Sequence, residues 1–202
     1  MSVSKAEATR VHIIQQAAGV FNQQGYAGAS MADIMRATGL KKGGIYNHFA
    51  SKDELAIAAF DYAVGLIIER YRHALRGKRH ALLRLRTMVE TFCCMVEDPI
   101  VQGGCPLMNT AVESHNTHSE LCDRARQAMD SWRDMIRKII TLGIKHREID
   151  PTVDVDRLAT VLISTLEGAL MLSQLYSDTS HLMLAKQHLF CYLEMIQGKS
   201  IP

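Results

Sequence analysis

The feature that most constrains the fold is a pair of short helical segments separated by a glycine, in the stretch SMADIMRATGLKKGGIYNHFASKDEL at residues 30–55. Ser30 begins a Ser-x-x-Asp capping box followed by apolar residues at helical spacing, and Gly39 predicts the end of this helix. Residues 43–49 repeat the apolar spacing. Neither segment reaches the roughly 12–15 residues at which an isolated helix becomes stable, so both must pack against other helices.

Further helices are predicted along the whole chain. Apolar residues recur at intervals of three and four, and glycine, proline and capping residues separate the segments. We predict helices over residues 5–24, 30–38, 43–49, 52–76, 81–97, from 106 onward, 120–145, 155–176 and 181–197. The chain is 48% hydrophobic with only four prolines in 202 residues, which favours an all-α fold of about nine helices.

Positive charge is concentrated at the N-terminal end. Residues 1–52 contain six Lys or Arg residues against two acidic residues, whereas the rest of the chain contains 17 against 19. This asymmetry indicates a polyanionic partner for the first quarter, although a solvated charged surface gives the same count. A second basic run, residues 70–86, lies where one predicted helix ends, and we interpret it as solvated surface that suits the helix dipole.

Two short helices joined by a glycine turn, with lysines before the second, are typical of a helix-turn-helix DNA-binding domain. Gly43 and Gly44 have no Cβ, so the backbone there can approach a phosphate closely. Lys41 and Lys42 add cationic contacts to the DNA backbone. The second helix is therefore the predicted recognition helix.

The predicted exposed face of this helix carries Tyr46, Asn47 and His48. We expect Asn47 to bind an adenine edge in the major groove, and Tyr46 to contact a phosphate or a thymine methyl. Ser30 and Lys52 are expected to bind the DNA backbone on either side. In the alternative interpretation Tyr46 lies half in the core, His48 binds only a phosphate and Ser30 only caps its helix.

A set of spaced positions carries a family resemblance: Arg10, Ile13, Ala17, Phe21, Gly25, Ser30, Ile34, Gly39, Leu40, Lys42, Gly43, Ile45, Tyr46, His48, Phe49, Lys52 and Leu55. On these residues the sequence resembles the DNA-binding domain of TetR/AcrR family transcriptional regulators. The resemblance implies a helix-turn-helix domain at residues 1–52, joined through a long helix to a divergent helical ligand-binding and dimerisation domain at residues 53–202. The family usually has Ser or Thr at position 41, so this chain lacks the usual hydroxyl contact with phosphate.

The resemblance also implies a small-molecule effector and a second subunit. Candidate pocket residues are flexible or aromatic side chains with two polar anchors: Met88, Phe92, Met108, Asn109, Trp132, Met135, Glu167 and Met171. Ordinary core packing is the alternative for the methionines. The last two predicted helices are apolar on more than one face, and by resemblance they pair with a second copy through Leu158, Leu162, Ala169, Leu189 and Leu193.

Other classes of site find little support. No run of eighteen apolar residues occurs and the N-terminus lacks the apolar core of a signal peptide, so we expect a cytoplasmic protein. The five cysteines form no C-x-x-C pair, and we interpret them as buried thiols. His115 and His118 are three apart but lack further metal ligands, so no metal and no cofactor is predicted.

The resulting hypothesis is a ligand-responsive regulator rather than an enzyme. It would bind double-stranded operator DNA of palindromic sequence as a homodimer, repress transcription, and be released by a small apolar or amphipathic effector. One alternative is a helical metal- or thiol-dependent sensor or enzyme without sequence-specific DNA binding. Another is a protein that coats DNA regardless of sequence.

Overall fold

The computed structural model describes residues 4–198 and is all-helical over that range, apart from one isolated bridge between Ile149 and Gln197. The helices are α1 Lys5–Gly28, α2 Met31–Thr38, α3 Lys42–Tyr46, α4 Lys52–Ala74, α5 Ala81–Glu97, α6 Pro106–Ser114, α7 Ser119–Lys145, α8 Val155–Tyr176 and α9 Ser180–Met195. The predicted all-α class is confirmed. The predicted recognition helix corresponds to α3, which ends at Tyr46 and is shorter than predicted.

Helix ends follow the local signals in the sequence. The side chain of Ser30 accepts a hydrogen bond from the Asp33 amide and completes a capping box at the start of α2. Gly39 ends α2 in the left-handed conformation, with a φ of 71°. Glycine adopts this conformation at little cost in free energy because it has no Cβ. Pro106 occupies the first turn of α6, where its missing N–H is not needed.

The chain divides into two compact units. Unit 1 comprises residues up to Ile67 together with Ile100–Ala128, and unit 2 comprises Ile68–Pro99 together with the residues from Met129 onward. The predicted boundary between residues 52 and 53 is linear in sequence, whereas the unit that holds α1 to α3 also includes α6. The assignment of separate functions to residues 1–52 and 53–202 therefore stays a prediction.

The core of unit 1 explains how its short helices are stable. Ile13, Ile34, Ile45, Phe49 and Leu55 come from four different helices or their ends, and each is at most 2% exposed. Burying each such side chain stabilises the fold by about 1.5–3 kcal/mol. The burial that α2 and α3 need thus comes from α1 and α4, as the sequence requires.

Unit 2 is built from the end of α4, the whole of α5, the later part of α7, and α8 and α9. Helices α5, α8 and α9 pack against one another, and each contributes a leucine that is at most 1% exposed: Leu85, Leu158 and Leu189. By length and composition α8 is apolar enough to cross a membrane, but half of its most apolar window is buried inside the unit. Such burial is the behaviour of a core helix.

The interpretation of the cysteines as buried thiols is wrong for two of them. Cys94 and Cys191 are exposed, Cys105 and Cys122 are half-buried, and only Cys93 lies in the core. Burial raises the pKa of the Cys93 thiol to about 11, which keeps it protonated and unreactive at neutral pH. None of the five forms a disulfide.

Candidate nucleic-acid interface

The predicted recognition helix α3 has one face buried in unit 1 and another face exposed to solvent. Ile45 is 1% exposed in the core of unit 1, whereas Lys41, Lys42, Tyr46 and Asn47 are exposed. The short helix α3 therefore has a buried face that anchors it and an opposite face that is accessible to a partner. The structure brings the predicted lysines and the predicted base-reading side chains to one short segment.

The start of α3 has the features predicted for close approach to a phosphate backbone. Lys41 occupies the N-cap position and its side chain makes no capping hydrogen bond. A Cβ added at Gly43 would meet nothing within 4 Å, so this glycine faces open space. Gly44 is half-buried, and a Cβ there would lie 3.6 Å from Leu40. Of the two glycines, Gly43 thus has more open space around it for a phosphate to approach the backbone.

Three of the predicted DNA contacts are engaged within the chain or partly covered. The Ser30 hydroxyl donates to Asp33 Oδ2 at 2.5 Å, and this hydrogen bond holds the pKa of Asp33 below its ordinary value. Lys52 Nζ donates to the Tyr26 carbonyl at 2.5 Å and lies 4.4 Å from the centre of the Tyr26 ring. His48 is half-buried. Ser30 and Lys52 therefore have structural roles whether or not they contact DNA.

A clamp that the sequence did not reveal joins α6 to the end of α1. Gly25 interrupts α1 with a φ of 74°, and the carboxylate of Glu113 accepts hydrogen bonds from the next two amides, Tyr26 at 2.7 Å and Ala27 at 2.8 Å. A Cβ added at Gly25 would lie 2.7 Å from this carboxylate. The partners are 87 and 86 positions apart in sequence, so no local pattern signals the contact.

A second pair of side chains strengthens the same junction. Asn109 Nδ2 donates to Asn22 Oδ1 at 3.0 Å and to the Gly103 carbonyl at 2.8 Å. Asn22 Nδ2 in turn donates to the Gln102 carbonyl at 2.8 Å. The sequence predicts Asn109 as an effector anchor, and the structure instead uses its amide to hold the segment before α6 against α1. Because α1 packs on α2, the junction supports the helix-turn-helix.

Tyr26 connects the clamp to the start of α4. Its hydroxyl donates to Asp53, and burial together with this hydrogen bond raises the pKa of Tyr26 to about 12. The His118 ring packs edge-on against the Tyr26 ring, with 4.8 Å between ring centres. The His118 ring therefore contributes to packing at this junction. Within residues 4–198 no three His, Cys, Asp or Glu side chains converge to hold a metal ion.

Comparison with known proteins identifies a family for both the N-terminal and the C-terminal part of the chain. Residues 13–59 match the family of bacterial regulatory proteins of the tetR type, and residues 81–189 match the tetracyclin repressor-like C-terminal domain. The second match alone spans more than half of the chain. This chain belongs to the TetR family of transcriptional regulators. Family membership makes it a DNA-binding regulator rather than an enzyme.

Solved structures of TetR-family regulators superpose closely on this chain. A regulator from Chloroflexus aurantiacus J-10-FL is 43% identical with a TM-score of 0.93, covering 97% of this chain and 99% of that one. A regulator from Cytophaga hutchinsonii is 32% identical with a TM-score of 0.89, covering 99% and 100%. The HTH-type transcriptional repressor DhaR of Mycobacterium sp. (strain GP1) is 25% identical over 168 residues, which cover 80% of both chains.

The structure divides the predicted effector residues of this TetR-family chain between the two units. Met108 and Asn109 belong to unit 1, whereas the other six candidates belong to unit 2. In unit 2, Met88 and Trp132 line a common cavity, and Phe92 stacks on Trp132 with 5.8 Å between ring centres. The remaining three have different environments: Met135 is half-buried, Glu167 is buried in α8 and Met171 is 50% exposed.

The predicted dimer residues lie inside their own chain. Leu158, Leu162, Ala169, Leu189 and Leu193 are each at most 7% exposed in the single subunit, so they cannot form the surface offered to a second copy. This assignment is corrected by the burial. The apolar pattern of α8 and α9 extends around both helices, and periodicity alone does not distinguish the side that packs within the chain from the side that remains open.

Proposed function

We propose that this TetR-family chain is a cytoplasmic repressor that binds a palindromic operator as a homodimer and is released by a small apolar or amphipathic effector. The observation that carries the proposal is α3, which exposes Lys42 and Asn47 while Ile45 anchors it. The name of the relative DhaR supports repression. The test is a footprint of the DNA upstream of its own gene in the presence of excess unrelated DNA. A protein that coats DNA regardless of sequence would lose its footprint.

The proposed dimer uses the open sides of α8 and α9, which we call the α8–α9 surface: Gly168, Met171, Leu172, Leu175, Met183 and Leu184. Leu175 is 69% exposed and Leu184 is 63% exposed, although both are large and apolar. Leu182 N donates to Ser173 Oγ at 3.1 Å, which holds the two helices together near their connecting turn. A Cβ at Gly168 would meet nothing within 4 Å, so a second helix has room to approach closely there.

The proposed effector binds in unit 2, where Tyr71, Met88, Trp132, Leu162 and Leu166 surround a cavity of about 10 Å³. This volume is about that of one water-sized sphere, so a larger effector must displace side chains in order to enter. Met88 has three rotatable bonds and adapts at low cost. An effector that binds only the expanded form shifts the protein towards that form, and repression ends if the expanded dimer no longer matches the operator.

Lys42→Ala should weaken binding to all DNA sequences about equally. The slope of log K against log salt concentration should fall by about 0.9 for each phosphate that the protein no longer neutralises, or about 1.8 for a dimer. Fluorescence anisotropy at several salt concentrations measures the slope. Lys138→Ala is the control, because Lys138 is an exposed lysine on α7 and its removal changes net charge equally. An unchanged slope for Lys42→Ala would remove Lys42 from the interface.

Asn47→Ala should instead abolish discrimination at one base pair in each half-site, by on the order of 1–3 kcal/mol per half-site. Asn47 is exposed at the C-cap of α3, so the substitution should leave the fold intact. Affinities for the operator and for every single-base variant of one half-site measure the effect. Asn116→Ala, at another exposed asparagine, should change none of them. An equal decrease in affinity for all sequences would identify Asn47 as a backbone contact.

A further inference from the structure

Unit 1 contains a cavity of about 40 Å³ between α1, α4 and α6. The proposed effector cavity, in contrast, is lined by residues of unit 2. A buried water needs about 10–15 Å³, so the cavity has room for roughly three or four atoms of that size. Its walls are largely apolar and include the methyl groups or rings of Ala18, Phe21, Ala56, Ala59, Phe60 and Ala63. The cavity exists because four of its lining residues are alanines, whose side chains are too small to fill the space.

Two polar atoms on the α6 side of the cavity have no hydrogen-bond partner within the described chain. Ser114 is 3% exposed and its Oγ is unpaired, and His118 Nε2 is buried and unpaired as well. Both residues line the cavity. Nearly all buried polar atoms in folded proteins are paired with protein or with a bound molecule. Two unpaired atoms at one cavity therefore point to a ligand.

The tautomer of His118 determines what that ligand must offer. His118 Nδ1 accepts a hydrogen bond from the Leu121 amide at 3.2 Å, so the proton of the neutral ring is on Nε2, which is a donor. Asp53 Oδ1 lies 3.9 Å from Nε2, beyond hydrogen-bond distance for a neutral ring. The Ser114 hydroxyl can also donate. Both unpaired groups thus suit an acceptor oxygen.

Charge near the cavity excludes an anionic ligand. Glu113 lines the cavity, and Asp53 lies beside His118, so a carboxylate or phosphate would be repelled at close range. A cation would leave the two donors unpaired. We propose that this cavity binds a small uncharged molecule with an apolar body and a single carbonyl or hydroxyl oxygen, of about the size of acetone or 2-propanol. This site does not depend on operator binding.

The test is a titration of the full chain, labelled at its alanine methyl groups, with acetone and with 2-propanol, followed by NMR. Saturable shifts are expected at Ala59 and Ala63, with a dissociation constant on the order of millimolar because so few ligand atoms bind. Acetate has nearly the shape of acetone but carries a charge, so it should bind at least about tenfold more weakly. Equal binding of acetate would overturn the uncharged class.

Two variants distinguish a hydrogen-bonded site from non-specific solvation. Ser114→Ala should weaken acetone binding about fivefold to tenfold, the usual effect of removing one hydrogen bond. It should still fold, because it removes an unpaired buried oxygen. Ser119→Ala, at an exposed serine five positions later, should leave the affinity unchanged. Shifts that grow linearly without saturation, equal affinity in Ser114→Ala, or a crystal structure in acetone that shows ordered water only, would each overturn the proposal.

Discussion

Leu175→Asp and Leu184→Asp should each convert the dimer into a folded monomer whose operator affinity is at least about 1,000-fold lower. In a two-fold symmetric interface each substitution occurs twice, and each unpaired carboxylate costs several kcal/mol to bury. A single recognition helix reads only a few base pairs, so the monomer loses most of the difference between specific and non-specific binding. Sedimentation velocity gives the oligomeric state and fluorescence anisotropy gives the affinity.

The exposure of these leucines makes the experiment informative. Because Leu175 and Leu184 contact solvent in the single chain, the monomeric variants should keep the helical circular dichroism of the wild type. Leu162→Asp, in contrast, would place a charge in the core of unit 2 and should unfold it. Leu83→Asp is the matched control, since Leu83 is a 48% exposed leucine on α5 outside the α8–α9 surface. Folded, monomeric variants that bind the inverted repeat as tightly as the wild type would refute the dimeric mechanism.

Glu113→Ala should loosen the end of α1 and destabilise unit 1 by about 2–3 kcal/mol. The substitution removes two charge-assisted hydrogen bonds and leaves the partly buried Tyr26 amide without its acceptor. Exchange of this amide with deuterium should accelerate on the order of 100-fold, because opening the clamp becomes easier by that free energy. Hydrogen-exchange NMR resolves the Tyr26 and Ala27 amides individually, and urea unfolding measures the global effect.

Two comparisons isolate the carboxylate. Glu113→Gln keeps one acceptor oxygen and should lose about half as much stability, whereas Val112→Ala changes a 77% exposed neighbour on the same helix and should lose almost none. Asn109, one turn earlier on α6, still holds Asn22 in all three variants. Unchanged exchange at Tyr26 in Glu113→Ala would show that the clamp does not persist in solution.

The parts of the fold that are predictable from sequence are those with local causes. Ser30 and Gly39 set the ends of α2 through hydrogen bonds and backbone angles within four residues, so the sequence alone indicates them. The fully buried Ile45 likewise follows from helical spacing. The open surface at Lys42 and Asn47 is predictable because residues so close in sequence share one short helix.

The parts that are not predictable depend on distant partners. Glu113 has no pattern of its own that marks it as a ligand of α1, since its role depends on amides more than eighty positions away. The sequence prediction groups the effector candidates by residue type alone. In the structure, Asn109 and Trp132 belong to different units. Leu162 and Leu175 both fit an apolar helix, and only the packing of α5 and α9 decides which is covered.

The attachment of α6 to α1 determines which segments must be exchanged together when a hybrid regulator is made from this protein and a relative. A hybrid regulator made by exchanging residues 1–52 with another family member would bring a foreign α1 to the native Glu113 and Asn109. Unless the donor also has glycine at position 25, a Cβ would collide with the Glu113 carboxylate. We therefore expect the exchangeable DNA-reading module to be discontinuous and to include Ile100–Ala128, so that a hybrid with new operator specificity needs two grafted segments rather than one.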